Sequence, residues 1–241
     1  MSPNPEAFLR HLQEQGYHSR SNKHSNALAE AMVADLMNCC PAMARKAHEG
    51  RLVYHLNFTI NAGTSDWNVD LVLGAPPPGT QPPQGGAPIG KALPSTVQVA
   101  VEIKSVMTEH HKAIRNRKRD LEAHHEHVHR YNNRTIAGGV FVINQAETFQ
   151  SPLRTAVTRH QNPRALVEHC IRQMRSIASR PGLQGDGLEA KAVLVVDMDN
   201  QNYAETAFVT QAPAPPVGDP LHYDAFIQSL CSLYAERFPE A

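Results

Sequence analysis

VQVAVEIKSV (Val97–Val106) is the stretch on which the fold turns. Its β-branched residues recur at every second position, the two-residue period of a strand. Val97, Val99, Val101 and Ile103 are expected on one face, and Gln98, Ala100, Glu102 and Lys104 on the other. A strand that buries its valines normally shows small or neutral residues opposite. This one presents a carboxylate and an ammonium two residues apart, about 7 Å along the strand. Upstream, WNVDLVLG (Trp67–Gly74) has the same period, with Trp67, Val69, Leu71 and Leu73 on one face and Asn68, Asp70 and Val72 on the other. Asp70 interrupts an otherwise apolar run. If the two strands are neighbours, about 4.8 Å apart, Asp70 and Glu102 meet on one face.

Around this pair the chain reads as alternating elements. Leu28, Met32, Val33, Leu36, Met37 and Cys40 recur at helical spacing, which predicts a helix over Ser25–Cys40 ended by Pro41. Leu52–Ile60 is β-branched and aromatic and, with the turn-like NAGTSD before Trp67–Gly74, predicts a hairpin. Glu109–Tyr131 is a long polar helix, Thr135–Asn144 a buried strand, Pro163–Arg180 an amphipathic helix, Ala190–Asp197 a buried strand and Asp224–Phe238 a closing helix. That order gives an α/β protein with a mixed central sheet flanked by helices. Two Pro-rich stretches, Gly74–Ser95 and Ala212–Pro220, are expected to hold neither helix nor ladder.

At 241 residues and 41% apolar, the chain reads as one large domain, 1–241, and wholesale disorder is excluded. No apolar run reaches the length that crosses a bilayer, and MSPNPEAFLRHLQEQG lacks the basic-then-apolar pattern of a secretion signal. Cys39, Cys40, Cys170 and Cys231 have no CxxC spacing, so a reduced, cytoplasmic protein is expected. Net charge is zero but unevenly spread. Residues 104–134 carry eight Lys or Arg against four Asp or Glu, and residues 154–180 carry six against one. Residues 181–241 carry nine acids against two bases. Such segregation suits one phosphate-facing side, although charge runs also occur simply as solvated helix faces. No GxxxxGK[ST] or GxGxxG occurs, which leaves nucleotide binding without support, and Gly138-Gly139 reads as close backbone packing.

Two carboxylates that close repel one another unless a cation lies between them, and hard oxygen ligands suit Mg²⁺. Lys104, from the same strand face, can orient an attacking water or stabilise a developing oxyanion. Asp70, a spacer of 31 residues and then Glu102-Ile103-Lys104 resembles the D…(D/E)-x-K signature of the PD-(D/E)XK nuclease superfamily, the restriction-endonuclease-like fold. The helix, hairpin, E-x-K strand, basic helix and buried strand across Ser25–Asn144 match that family's core order. Val69, in place of the family's proline, precedes the aspartate, and that proline is often missing in the family.

The resemblance implies that Asp70 and Glu102 coordinate Mg²⁺, or Mn²⁺ in its place, with the carbonyl of Ile103 as a further ligand and Lys104 as the catalytic lysine. Glu30 stands where some members carry an extra acidic residue. Lys112, Arg115, Lys118 and Arg119, on the helix that follows, are the implied contacts to nucleic-acid backbone. The activity implied is an endonuclease that hydrolyses DNA by metal-activated water, in restriction or anti-phage defence, as a homodimer on duplex DNA. The resemblance also places the Gly74–Ser95 loop near the site. Two other readings stand beside it: a non-catalytic nucleic-acid-binding module of the same fold, and a His-rich metal-binding protein. The last rests on His110, His111, His124, His125, His127 and His129, with His125 and His129 spaced i, i+4. The plainest alternative for Glu102 and Lys104 is an ion pair on a solvated sheet face.

Overall fold

The computed structural model describes residues 3–61, 63, 66–108 and 111–239, with 111 and 112 by backbone alone. The strand periods read above become the centre of a seven-stranded mixed sheet. The strands are β1 (Val53–Asn61), β2 (Asp66–Ala75), β3 (Gly90–Lys91), β4 (Thr96–Val106), β5 (Ile136–Asn144), β6 (Thr148–Phe149), β7 (Thr158–Arg159), β8 (Ala190–Asp197) and β9 (Ala207–Phe208). Their order across the sheet is β3-β1-β2-β4-β5-β8-β9, and β6 and β7 pair separately. β2 runs antiparallel to both its neighbours, β1 and β4, whereas β4, β5 and β8 are parallel.

Helices cover both faces. α1 (Glu6–Gln15), α2 (Lys23–Cys39), α3 (Pro41–His48) and α6 (Tyr223–Arg237) pack on one side, around Leu12, Met32, Leu36, Phe226 and Tyr234. α4 (His111–Tyr131) and α5 (Pro163–Ser176) are the crossovers between parallel strands and cover the other, through Ile114, Leu121, Val128, Val167 and Met174. β5, between the two layers, is buried at all nine positions. Its two glycines are needed there, because a Cβ on Gly138 would come within 3.1 Å of the Phe226 ring, and one on Gly139 within 2.7 Å of Leu188.

Several sequence expectations are corrected by the structure. Pro41 ends α2 but also opens α3, at a first-turn position where its missing N–H leaves no bond unmade. α1 and α3 escape the apolar period because α1 buries only Phe8 and Leu12, and α3 is two turns long. The Pro-rich stretch after β2 does hold ladder structure, since Gly90 and Lys91 form β3 beside Val53 and Tyr54. That loop also leaves the sheet at the Ala75/Thr96 end, where Pro76–Thr80 lie against Gly50, Arg51 and Gln98. Asp70 and Glu102 are five and six residues further along their strands, so the loop is at the end away from them.

Face alternation also breaks, and the break matters for the site. Leu56, Leu71 and Leu73 pack in the α2 layer, whereas Phe58, Ile60, Trp67 and Val69 pack in the α4 layer. Strict alternation would keep Leu56 with Phe58 and Val69 with Leu71. The switch falls at Asn57, which sits across the ladder from Asp70 and has a left-handed φ of 53°. Asparagine tolerates that conformation, and its amide is held by Asn22 and Asn26 of the α2 start. A second shift, at Leu73/Gly74, leaves Gln98 as the extra residue of β4 and sends Val97 to the face opposite Val99.

One buried charge cluster ties the layers together. The Glu189 carboxylate accepts from Arg180 at 2.9 Å, Arg237 at 2.7 Å, the Ala137 N–H at 2.8 Å and His129 at 3.1 Å. Burial alone would push this carboxyl up, but these bonds, led by His129, hold it down at about 2. A carboxyl depressed in the folded state stabilises the protein above its unfolded pKa near 4, and that contribution is lost as pH falls toward 2. Acid unfolding of the wild type should therefore fall in the pH 4–2 window. Glu189→Gln should cost about 3 kcal/mol at pH 7 by leaving two buried guanidiniums short of a counter-charge, and the difference should vanish near pH 2; urea titrations at both pH values check this.

Candidate functional site

β2 and β4 pair from Ala75/Thr96 to Leu71/Val101 and then part. Asp70 and Glu102 are the next residues on each strand, facing one another across the opening. The kink at Asn57 turns Asp70 toward the edge of β4, where its carboxylate accepts the Ile103 N–H at 2.7 Å. Ser25, near the start of α2, lies within hydrogen-bonding reach of the same carboxylate. The Asp70 N–H in turn lies within reach of the Glu102 carboxylate. The parted backbone is thus bridged by side chains in place of ladder bonds. Because the N–H and C=O of a strand residue point to the same edge, the Ile103 carbonyl is directed into this opening too.

Glu102 is buried, with Lys104 bonded to one carboxylate oxygen. The other oxygen has no partner, and the nearest candidate is Nδ1 of His124 at 4.0 Å. His124 is fully buried on α4, and its Nε2 faces the Ala100 carbonyl at 3.3 Å. A carbonyl only accepts, so Nε2 carries the proton and the bare Nδ1 faces Glu102. Burial holds His124 neutral by lowering its pKa to about 3. Burial first and the Asp70 charge second push Glu102 up to about 7, against the pull of Lys104. Asp70 is also raised by burial, offset by the Ile103 N–H and Lys104.

These features fit a divalent cation. Two carboxylates and a backbone carbonyl converge on one opening, one buried oxygen has no hydrogen-bond partner, and both acids are raised as acids short of positive charge are. Mg²⁺ needs few protein ligands because it retains water. Among the described residues, no group of three or more His, Cys, Asp or Glu side chains gathers to hold a metal.

Other residues singled out from the sequence lie elsewhere. Glu30 is exposed and pairs with Lys91 at 3.1 Å, beside Tyr54 and away from the two carboxylates. On α4 the inward residues are Ile114, Leu121, His124 and Val128. At about 100° per residue, Arg115 and Arg119 fall on the opposite, solvent-facing side, and both are exposed. Lys118 pairs with Glu122, and the side chain of Lys112 lies outside the described residues. Arg117, which the sequence reading passed over, is seven residues before His124 and so on the same edge of the helix. His125 is buried and its ring lies 6.1 Å from that of His129, but His129 serves Glu189; His127 stacks on Trp67 at 4.8 Å, and His124 faces the Ala100 carbonyl. His110 and the side chain of His111 lie outside the described residues. Of the arginines in residues 154–180, Arg164 pairs with Glu168 of the same helix, and Arg175 and Arg180 pair with Asp219 and Glu189 from outside the segment, which reduces the basic surplus counted from the sequence by two.

The raised Glu102 carboxyl has a measurable cost. Its penalty is absent below pH 4, grows as pH rises toward 7 and is full above it, roughly 3 kcal/mol. Glu102→Gln removes the charge and keeps the shape, and Lys104 can still reach solvent. The variant should melt about 5 °C or more above the wild type at pH 8 and close to it at pH 4.5, as scanning calorimetry would read.

The geometry of this opening is what there is to argue from, because no protein-family model, no curated protein and no solved structure matches the chain.

Proposed function

We propose that this chain is a metal-dependent nuclease of the PD-(D/E)XK, restriction-endonuclease-like kind, acting on DNA. The observation that carries this reading is the meeting of Asp70 and Glu102 across the parted ends of β2 and β4, with Lys104 on Glu102. The order of elements agrees with it, as does the place of the site beyond the paired part of an antiparallel hairpin and next to a parallel crossover. Nuclease chemistry, DNA as substrate, a two-copy assembly that cuts both strands, and a defence role belong to the same proposal.

In this reading Asp70, Glu102 and the Ile103 carbonyl hold Mg²⁺ or Mn²⁺, which when bound lowers the pKa of water and offsets charge on the phosphodiester. The Ile103 N–H and Ser25 fix the Asp70 carboxylate. His124 and the surrounding apolar residues keep water from the inner oxygen of Glu102. Lys104, which pairs with Glu102 in this structure, would be the group to orient the attacking water or stabilise charge on the scissile phosphate were a cation to replace it on that carboxylate. Because Lys104 already gives Glu102 a counter-ion within the protein, a non-catalytic nucleic-acid-binding module is the second reading.

Supercoiled plasmid incubated with Mg²⁺, Mn²⁺ or EDTA separates the two. The nuclease reading expects metal-dependent nicking or linearisation, reduced roughly a hundredfold or more in Asp70→Ala, Glu102→Ala and Lys104→Ala. A readout independent of turnover is the melting temperature, which Mn²⁺ should raise in the wild type and leave unchanged in Asp70→Asn. A gel shift without cleavage in either metal would favour the binding module.

A further inference from the structure

Beyond Lys104, β4 runs on through Ser105 and Val106 and gives way to Met107 and Thr108 at the carboxyl end of the parallel strands, where α/β sheets most often take ligands. A cleft of about 240 Å³ opens there, between this strand end, the α1–α2 link, α4 and the β6–β7 hairpin. Its walls carry two guanidiniums, Arg117 from α4 and Arg154 from the hairpin loop, with the hydroxyls of Ser19, Ser105, Thr108 and Ser151 among the remaining lining groups. Among the described residues, no aspartate or glutamate lines it. The Ser105 hydroxyl is shielded from solvent and has no partner. Tyr17 and Phe149, edge to face at 6.1 Å, form an aromatic floor. Arg117 is close enough to Tyr17 and His24 to act on both electrostatically, and among the described residues its acidic contact, Asp120 at 3.3 Å, is long. Arg154 is exposed on the hairpin loop.

Two guanidiniums, hydroxyls and an aromatic floor, with no carboxylate among the described lining residues, together describe a site for a phosphate carried on an aromatic base. Ser105 follows Glu102 by three residues, so the cleft begins about 10 Å from the carboxylates along one strand. That is a distance of one or two nucleotides along a single strand. A bounded cleft of this size takes one nucleotide and excludes a duplex.

We propose that the cleft bounded by Arg117, Arg154 and Ser105 is a phosphate-binding subsite that seats one nucleotide of a single strand, at or near a strand end, beside the Asp70–Glu102–Lys104 centre. This rests on the nuclease reading for its biological sense but is tested apart from it. Arg117 and Arg154 bind there and take no part in the chemistry. The subsite holds the terminal phosphate of a single-stranded end, such as the unpaired end of a duplex, and adds a binding preference to the cleavage of both strands without replacing it.

The test uses the full chain carrying Asp70→Ala, in EDTA, with fluorescent single-stranded oligonucleotides that end in a 5′-phosphate, a 3′-phosphate or neither. One phosphorylated end should bind about tenfold or more tighter than the unphosphorylated strand by anisotropy, and Arg154→Ala or Arg117→Ala should each erase that advantage. A mononucleotide should compete for the same arginine-dependent site. Equal affinity for all three ends, or an advantage that survives both arginine substitutions, overturns the subsite. So does a site that takes the mononucleotide while the oligonucleotides fail to displace it, which would assign the cleft to a free nucleotide. Plasmid cleavage by the native chain reports on the nuclease reading separately. Cleavage with no end preference sinks the subsite alone, and end preference without cleavage sinks the nuclease reading alone.

Discussion

Everything in the candidate site follows from the point at which β2 and β4 stop pairing. Beyond Leu71 and Val101 the two backbones separate, and ladder groups that would be left without partners are met by side chains of the opposite strand. Only a short acceptor held at the kink can do this for Ile103, and Asp70 is that acceptor. The consequence is a pair of carboxylates facing one another in a buried opening, with one oxygen unsatisfied. Such an arrangement opposes stability, and the protein retains it in the middle of its sheet. That cost is the reason to regard the opening as functional.

The opening tolerates its charges because the surrounding frame is rigid and neutral where it needs to be. His124 is buried as a neutral ring, with one nitrogen on the β4 backbone and the other toward Glu102. At the far end of the same helix, His129 meets Glu189, where two arginines and a backbone N–H fully satisfy the carboxylate. The two glutamates show opposite solutions to burial. Glu189 is surrounded by donors and its pKa falls to about 2, whereas Glu102 has one cation and an acidic neighbour and its pKa rises to about 7. The first fastens α4, α6 and β8 together, and the second is left able to accept a cation.

The distribution of arginine and lysine shows why a charge count along the chain misleads about where an anion would lie. The exposed bases of α4 that stand out in the sequence, Arg115 and Arg119, point away from the carboxylates, and Arg175 and Arg180 are matched by acids brought from outside their segment. Arg117 and Arg154 are separated by 36 residues and come together on one cleft because α4 begins and the β6–β7 hairpin folds at the same end of the parallel strands. No helix among the described residues is long and apolar enough to cross a membrane.

By itself the sequence determined the five long strands and the larger helices, since a two-residue period and a 3.6-residue period of burial are local properties that each segment carries within it. It determined also that Asp70, Glu102 and Lys104 would interrupt apolar strands, because such interruptions are visible residue by residue. Tertiary structure alone decided how the two carboxylates meet. Their approach depends on Asn57 adopting a left-handed conformation under the hold of Asn22 and Asn26, an event on a different strand that reverses which face each residue presents. It decided that Glu30 pairs with Lys91, that His124 backs Glu102 and that Arg117 shares its edge of the helix. Each of those relations joins groups far apart in the chain, and no periodicity within a single segment encodes which distant group will lie opposite.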